Sequence, residues 1–133
     1  MKYVLTFIAD RSGMNRSPEE MKEAMDAWTA FDKEAVEAGA LIACEPLEDA
    51  SEATTIRLAG DGEQTVTDGP FAETKEQLGG FALLECEDFD EAMSWARKVP
   101  MGAGSIEVRQ VMDLTPFGYE SSTVSPVKAR TTA

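Results

Sequence analysis

The residues with the clearest potential for chemistry lie in a short turn sequence near the middle of the chain. Asp68-Gly69-Pro70-Phe71 follows a strand-like segment and precedes a polar stretch. A carboxylate at the rim of a pocket is desolvated, which raises its pKa and suits it to acid–base catalysis. The same residues are typical of a turn in which Asp accepts backbone N–H groups and Gly takes a positive φ. Asp68 is therefore a candidate catalytic residue, but a turn with Phe71 buried beneath it is the simpler interpretation.

Four further residues are candidates for ligand binding, namely Glu45, Arg57, Phe71 and Arg109. A carboxylate at Glu45 could form an acid–base pair with Asp68, although an exposed turn carboxylate is the favoured interpretation. Arg57 and Arg109 lie on predicted strands, where a guanidinium group can bind a carboxylate or phosphate through two hydrogen bonds. Pairing with acidic side chains is the more common role of such residues, so we favour it for both arginines.

Several kinds of site are excluded or unsupported. The chain has no histidine, so it cannot hold a Ser-His-Asp triad, a Cys-His pair or a His-ligated metal. Gly60-Asp61-Gly62 and Gly102-Ala103-Gly104 lack the spacing and the strand-to-helix setting of phosphate-binding loops. Asp61 and Glu63 do not have the spacing of a calcium loop. We therefore predict no metal site and no cofactor.

Composition limits the partners and the cellular setting. The 133 residues include 25 Asp plus Glu and 12 Lys plus Arg, which gives a net charge of −13. Such a charge disfavours binding to nucleic acid or to an anionic membrane surface. The apolar start of the chain is too short for a signal peptide and lacks a cleavage site, so we predict a cytoplasmic protein. Cys44 and Cys86 lie in apolar, strand-like segments and are predicted to be reduced structural thiols.

The elements that must position these residues follow from periodicity and from helix-capping signals. Two segments are typical of helix starts, namely Ser17-Pro18-Glu19-Glu20 and Asp88-Phe89-Asp90-Glu91. The first helix is predicted to end at Gly39 and the second at Pro100. Met21, Met25 and Met93 fall on the apolar stripes of these helices and are predicted to be core residues. Apolar or alternating runs predict strands over 2–9, 40–44, 53–59, 64–67, 81–86 and 106–112, and residues 72–78 are predicted to hold one helical turn.

This order predicts an α+β fold. Without the inserted residues between the third and fifth strands, it is a ferredoxin-like split βαβ sheet with two helices on one face. The first strand carries bulky residues on both of its faces, so the uncovered face is expected to meet a second copy of the sheet in a homodimer. Residues 1–113 form the predicted domain, and residues 114–133 are a Ser/Thr/Pro-rich tail that is poorly ordered or docks through Phe117 and Tyr119.

The segment from Asp68 to Phe81 resembles the DGPF proteins of the YCII-related family. Glu45-Pro46-Leu47 upstream and the segments 95–100 and 106–109 downstream share this resemblance. The resemblance covers Met1 to about Asp113. It implies a dimeric α/β barrel, and it implies partnership with a sigma factor of the extracytoplasmic-function type. YCII-type relatives are thought to pair a His with an Asp in a pocket, and Asp68 matches that Asp by the motif. This chain lacks the histidine, so the paired chemistry is not expected here.

Three functions remain open. The favoured one is a regulatory or other binding protein for an unknown small molecule. The second is an Asp68-dependent enzyme, and the third is a protein-interaction module that acts with a sigma factor. The first two predict a closed pocket of a few hundred Å³ near Asp68, roughly the size of known ligand pockets. The third predicts an exposed apolar patch instead.

Overall fold

The computed structural model describes residues 1–11 and 16–120. Within these ranges the chain forms six strands, two helices and two short 3₁₀ turns. They are β1 (Lys2–Ala9), α1 (Pro18–Glu37), β2 (Leu41–Pro46), a turn at Ala50–Glu52, β3 (Thr54–Leu58), β4 (Gln64–Asp68), β5 (Gln77–Glu85), α2 (Phe89–Lys98), β6 (Ser105–Gln110) and a turn at Thr115–Phe117. No helix in these ranges is both long enough and apolar enough to cross a membrane.

The main sheet is antiparallel, with the strand order β2-β5-β1-β6. Together with the two helices this arrangement is α+β and consistent with the predicted ferredoxin-like topology. Strands β3 and β4 pair only with each other and form a separate hairpin, in which Ile56 lies opposite Val66. The hairpin is therefore an insertion between the second and third strands of the split βαβ arrangement.

Both helix starts are confirmed, because they depend on hydrogen bonds between residues that are close in sequence. The Ser17 hydroxyl accepts the backbone N–H of Glu20, and the Glu20 carboxylate accepts the N–H of Ser17. These bonds satisfy N–H groups that have no partner within the helix. In the second helix Asp88 accepts the N–H of Glu91, and the Glu91 carboxylate accepts the N–H of Glu87.

The core lies between the sheet and the helices. Tyr3, Leu5 and Phe7 alternate along β1 and are buried against residues of both helices, including Phe31 and Trp95. Leu5 and Leu84 are completely shielded from solvent. The remaining buried members of this core are Ala35, Ala40, Ala82, Cys86, Ala92, Ala96 and Val99.

Sequence-based expectations about the burial of three side chains and about the structure of residues 72–80 are wrong. Met21 and Met25 are 48% and 57% exposed, so neither belongs to the core. Phe71 is 75% exposed and does not fill the core under its turn. Residues 72–76 are not helical, and β5 begins at Gln77 rather than at Phe81.

The face of the sheet opposite the helices carries apolar side chains. Because neighbouring residues of a strand point to opposite faces, Val4 points away from the buried Tyr3 and Leu5, and so does its β5 partner Leu83. Both side chains are half-buried, and so is Phe81 on the same face.

The predicted tail is described only in part. Residues 114–120 contain the turn at Thr115–Phe117, and Phe117 and Tyr119 are exposed. The rest of the predicted tail lies outside the described residues.

Candidate functional site

The candidate site is built around Arg11, which follows β1. Its Nη1 donates a hydrogen bond to the carbonyl of Leu47 at 3.0 Å, and its Nη2 donates one to the carbonyl of Gly79 at 2.7 Å. The backbone N–H of Leu47 also donates to the Gly79 carbonyl, at 2.9 Å. Gly79 has no side chain, and a Cβ there would lie 2.5 Å from Nη2 of Arg11. The guanidinium of Arg11, which follows β1, therefore connects the residue after β2 to the start of β5 through hydrogen bonds.

The Asp-Gly-Pro-Phe turn is held against the start of the hairpin. The N–H of Gly69 donates to the Ala53 carbonyl at 2.6 Å, and the hydroxyl of Thr55 donates to the Gly69 carbonyl at 2.7 Å. Arg57 donates through Nη2 to the carbonyl of Phe71 at 2.8 Å. Gly69 has a φ of 108°, so the predicted positive φ at this position is confirmed.

The loop that follows the turn is held by its own hydrogen bonds. The side-chain amide of Gln77 donates to the carbonyls of Ala72 and Thr74 at 3.1 and 2.6 Å, and the Thr74 hydroxyl donates to the Glu76 carbonyl. A loop with this many internal contacts can present a fixed wall to a ligand.

Two adjoining clefts open between this loop, residues 47–55 and the end of the sheet. The larger has a volume of about 640 Å³ and the smaller about 320 Å³. Pro70, Gln77 and Leu78 line both of them, and Arg11 lines the smaller. The apolar lining of the larger cleft includes Ile8, Leu47, Ala50, Ala53, Pro70, Phe71, Ala72 and Leu78.

The larger cleft is also acidic. Its carboxylates are Glu48, Asp49, Glu52 and Glu76, and none of the described residues that line it is Lys or Arg. The hydroxyl and the N–H of Ser51 both donate to Asp49, at 2.6 and 3.1 Å. These hydrogen bonds hold the pKa of Asp49 below its ordinary value, so this carboxylate stays ionised at neutral pH.

The structure brings together only some of the predicted site residues. Phe71 lines the larger cleft, and Arg57 binds the backbone of the same turn from outside the cleft. Asp68 is the last residue of β4 and is exposed, and its carboxylate forms no hydrogen bond or ion pair with the part of the chain described here. It does not line either cleft.

Glu45 and Arg109 are separated from each other by the width of the sheet. Glu45 is an exposed residue of β2, and Arg109 is an exposed residue of β6, so they lie on opposite edge strands. Neither residue lines the clefts. Nη1 of Arg109 lies 3.7 Å from the Glu107 carboxylate, which is the kind of acidic partner that the sequence predicts for it.

Sequence reasoning missed Arg11 and most of the acidic lining. Arg11 had one available signal, its place two residues after the end of an apolar strand. Glu48, Asp49 and Glu52 stand close together in sequence, but the sequence does not show that they face the loop that follows Pro70.

The two thiols are not poised as nucleophiles. Burial, together with the nearby carboxylates of Asp32 and Glu45, raises the pKa of the half-buried Cys44 to about 12. Burial, together with Glu91, raises the pKa of the buried Cys86 to about 11. Both therefore remain protonated at neutral pH and belong to the packing of the protein.

No group of three or more metal-binding side chains converges in residues 1–11 and 16–120. The carboxylates of the larger cleft therefore act as a charged lining rather than as a set of metal ligands.

The fold and the clefts define a small α+β protein with an open, ligand-sized cleft at one end of its sheet. A model of the YCII-related domain matches residues 1–115. An uncharacterized protein of Rhizobium meliloti (strain 1021) is 44% identical over 96 residues, which are 70% of this chain and 77% of that protein. The chain therefore belongs to the YCII-related family, as the Asp-Gly-Pro-Phe segment predicts.

Proposed function

We propose that this protein binds a small organic molecule in the larger cleft. The observation that carries the proposal is the combination of size and lining. A volume of about 640 Å³ lies in the range typical of ligand pockets, and the lining is mainly apolar with a few polar groups. The cleft is open to solvent rather than closed, which suits a ligand that extends beyond it. We include in this proposal a regulatory role, in which the bound molecule controls the activity of the protein.

A thermal-shift screen of metabolites tests the proposal. A ligand should raise the melting temperature of the wild-type protein but not that of Ala53→Trp, because a large side chain at Ala53 would occupy the cleft. Ala59→Trp is the matched control, because Ala59 is exposed on the same hairpin and does not line the cleft. The absence of any hit from a broad library, or a hit that survives Ala53→Trp, would contradict binding at this place.

The proposal extends to a homodimer that uses the face of the sheet opposite the helices. Its support is the half-buried apolar surface formed by Val4, Phe81 and Leu83. Ile8 and Leu78, which are register partners in β1 and β5, line the larger cleft, so a second copy on this face would stand close to the cleft. Light scattering should give twice the 14.4 kDa mass of one chain. A single-chain mass at micromolar concentration would overturn this part of the proposal.

A second candidate, a protein-interaction module, is favoured by one observation. Ile56, Leu58 and Val66 lie on one face of the β3–β4 hairpin and are 56%, 72% and 63% exposed. An isolated hairpin with an exposed apolar face is typical of a surface that pairs with another protein. Co-migration with an extracytoplasmic-function sigma factor in gel filtration, lost in Ile56→Asp, would support it, and separate elution would contradict it.

The enzyme alternative depends on Asp68, the residue that matches the family's aspartate. Asp68→Asn keeps the size of the side chain and removes its ability to carry charge. If Asp68 acts on a bound molecule, turnover of a ligand found in the screen should be lost while its binding is kept. Unchanged turnover in Asp68→Asn would refute a catalytic role.

A further inference from the structure

We propose that the ligand of the larger cleft is an organic cation, with an apolar body and a protonated amine or quaternary ammonium group. This inference rests on the proposed binding function and adds the chemical class of the ligand.

The charge of the lining is the first argument. Glu48, Asp49, Glu52 and Glu76 line the cleft, and none of the described residues that line it is Lys or Arg. The nearest arginine of the site, Arg11, lines the adjoining smaller cleft, and its Nη1 and Nη2 already bind two backbone carbonyls. The charge of Arg11 also acts on Asp49, but four exposed carboxylates line the larger cleft against this one cation beside it. An anionic ligand in the larger cleft would therefore be repelled more than it is attracted.

The apolar part of the lining is the second argument, and it is independent of the charge. A hydrated metal ion or a small inorganic cation would gain nothing from contact with Ile8, Leu47 and Leu78, whereas a hydrocarbon body would be removed from water. Phe71 is largely exposed at the same cleft. An aromatic ring beside carboxylates is a common recognition surface for ammonium groups, since the ring face attracts cations. The combination favours an amphipathic amine over either a plain hydrocarbon or a bare ion.

The net charge of the chain acts in the same direction at longer range. A protein of charge −13 concentrates cations near its surface and accelerates their encounter with an acidic cleft. This effect is screened by salt, whereas the apolar contacts are not.

Three probes with the same hydrocarbon body test the inference, namely phenethylamine, phenethyl alcohol and hydrocinnamate. Binding is measured by saturation-transfer NMR and calorimetry on the full chain. We expect phenethylamine to bind several-fold more tightly than the alcohol, a ratio that exposed charge pairs can supply, and hydrocinnamate to bind most weakly. Raising sodium chloride from about 20 mM to about 300 mM should weaken only the amine.

Charge-neutral variants locate the effect. Glu48→Gln combined with Glu52→Gln should weaken the amine several-fold and leave the alcohol unchanged. Glu19→Gln combined with Glu23→Gln is the matched control, because it removes the same charge from exposed positions of α1 that do not line the cleft. If both double variants weaken the amine equally, general attraction to an acidic surface explains the binding and the inference is overturned.

The remaining outcomes separate this inference from the proposed function. Equal binding of the three probes, or tightest binding of hydrocinnamate, overturns the cationic class while binding in the cleft stands. Failure of all three probes overturns the cationic class as well. The binding function itself fails only if the broad metabolite screen also gives no ligand that is lost in Ala53→Trp.

Discussion

The contact between Arg11 and Gly79 predicts that one substitution at Gly79 destabilises the protein when Arg11 is present and stabilises it when Arg11 is absent. Gly79→Ala should destabilise the wild-type protein, because the new Cβ would lie 2.5 Å from Nη2 of Arg11 and 3.0 Å from Cζ. Gly79 is not among the glycines with positive φ, so alanine brings no backbone strain of its own. The flexible guanidinium group is therefore what must move, and its two hydrogen bonds to carbonyls are lost.

The magnitude follows from those two bonds. A hydrogen bond contributes roughly 0.5–1.5 kcal/mol to the free energy of unfolding. Because the Arg11 side chain is exposed, we take the low end for each bond, and the two bonds together contribute about 1 kcal/mol. Replacing Gly by Ala where the backbone permits it stabilises by roughly 0.4–1 kcal/mol through the unfolded chain. Gly79→Ala should thus cost about 0.5 kcal/mol in the wild type. When Arg11→Ala has already removed the guanidinium, no hydrogen bond is left to lose. Only the stabilisation from replacing Gly by Ala then remains, so Gly79→Ala should stabilise this background by about 0.5 kcal/mol.

Urea unfolding of the two single variants, the double variant and the wild type measures this coupling at one fixed protein concentration. Gly80→Ala is the matched control, because its Cβ would meet the backbone carbonyl of Glu45 at 2.9 Å, an atom that no Arg11 substitution moves. Gly80→Ala should therefore cost the same in both backgrounds. A coupling energy between Arg11 and Gly79 below about 0.3 kcal/mol, the usual limit of additivity, would refute the reasoning.

Three further predictions concern the core, the thiols and the first helix. Leu5→Ala should lower the free energy of unfolding by about 3 kcal/mol or more in denaturant titration, because Leu5 is fully buried, and a loss below about 1 kcal/mol would contradict its place in the core. Cys44 and Cys86 should react slowly with a thiol reagent at neutral pH and rapidly after unfolding; fast reaction of the folded protein would contradict their raised pKa values. In the unfolded chain both thiols ionise near their ordinary pKa of 9.0, whereas in the folded protein the pKa of Cys86 is about 11 and that of Cys44 about 12. Their contribution to the free energy of unfolding is therefore fully present below pH 9.0 and is lost as the pH rises through these folded values. Ser17→Ala should destabilise α1 by about 1 kcal/mol. NMR titration should show the pKa of Glu20 rise only part of the way to its ordinary value, because the Ser17 backbone N–H, the larger cause of its lowering, is kept and only the hydroxyl is lost.

The sequence by itself determined the features that depend on neighbouring residues. The capping box at Ser17 and the cap at Asp88 involve atoms three residues apart, so the residue types alone indicate where the helices begin. The alternation in β1 predicts its strand, and Asp-Gly-Pro predicts the positive φ at Gly69. The order of these elements was enough to predict an α+β fold.

Only the tertiary structure decided which apolar residues are covered and where the cleft lies. The stripe of α1 does not reveal that Met21 and Met25 remain exposed, and the turn does not reveal that Phe71 is exposed. The cleft joins segments around residues 8–11, 47–55 and 70–79, and the carboxylates of residues 48–52 face apolar side chains only because these segments meet. Charge and shape of a site depend on distances through space, and the sequence contains those distances only through the folding of the whole chain.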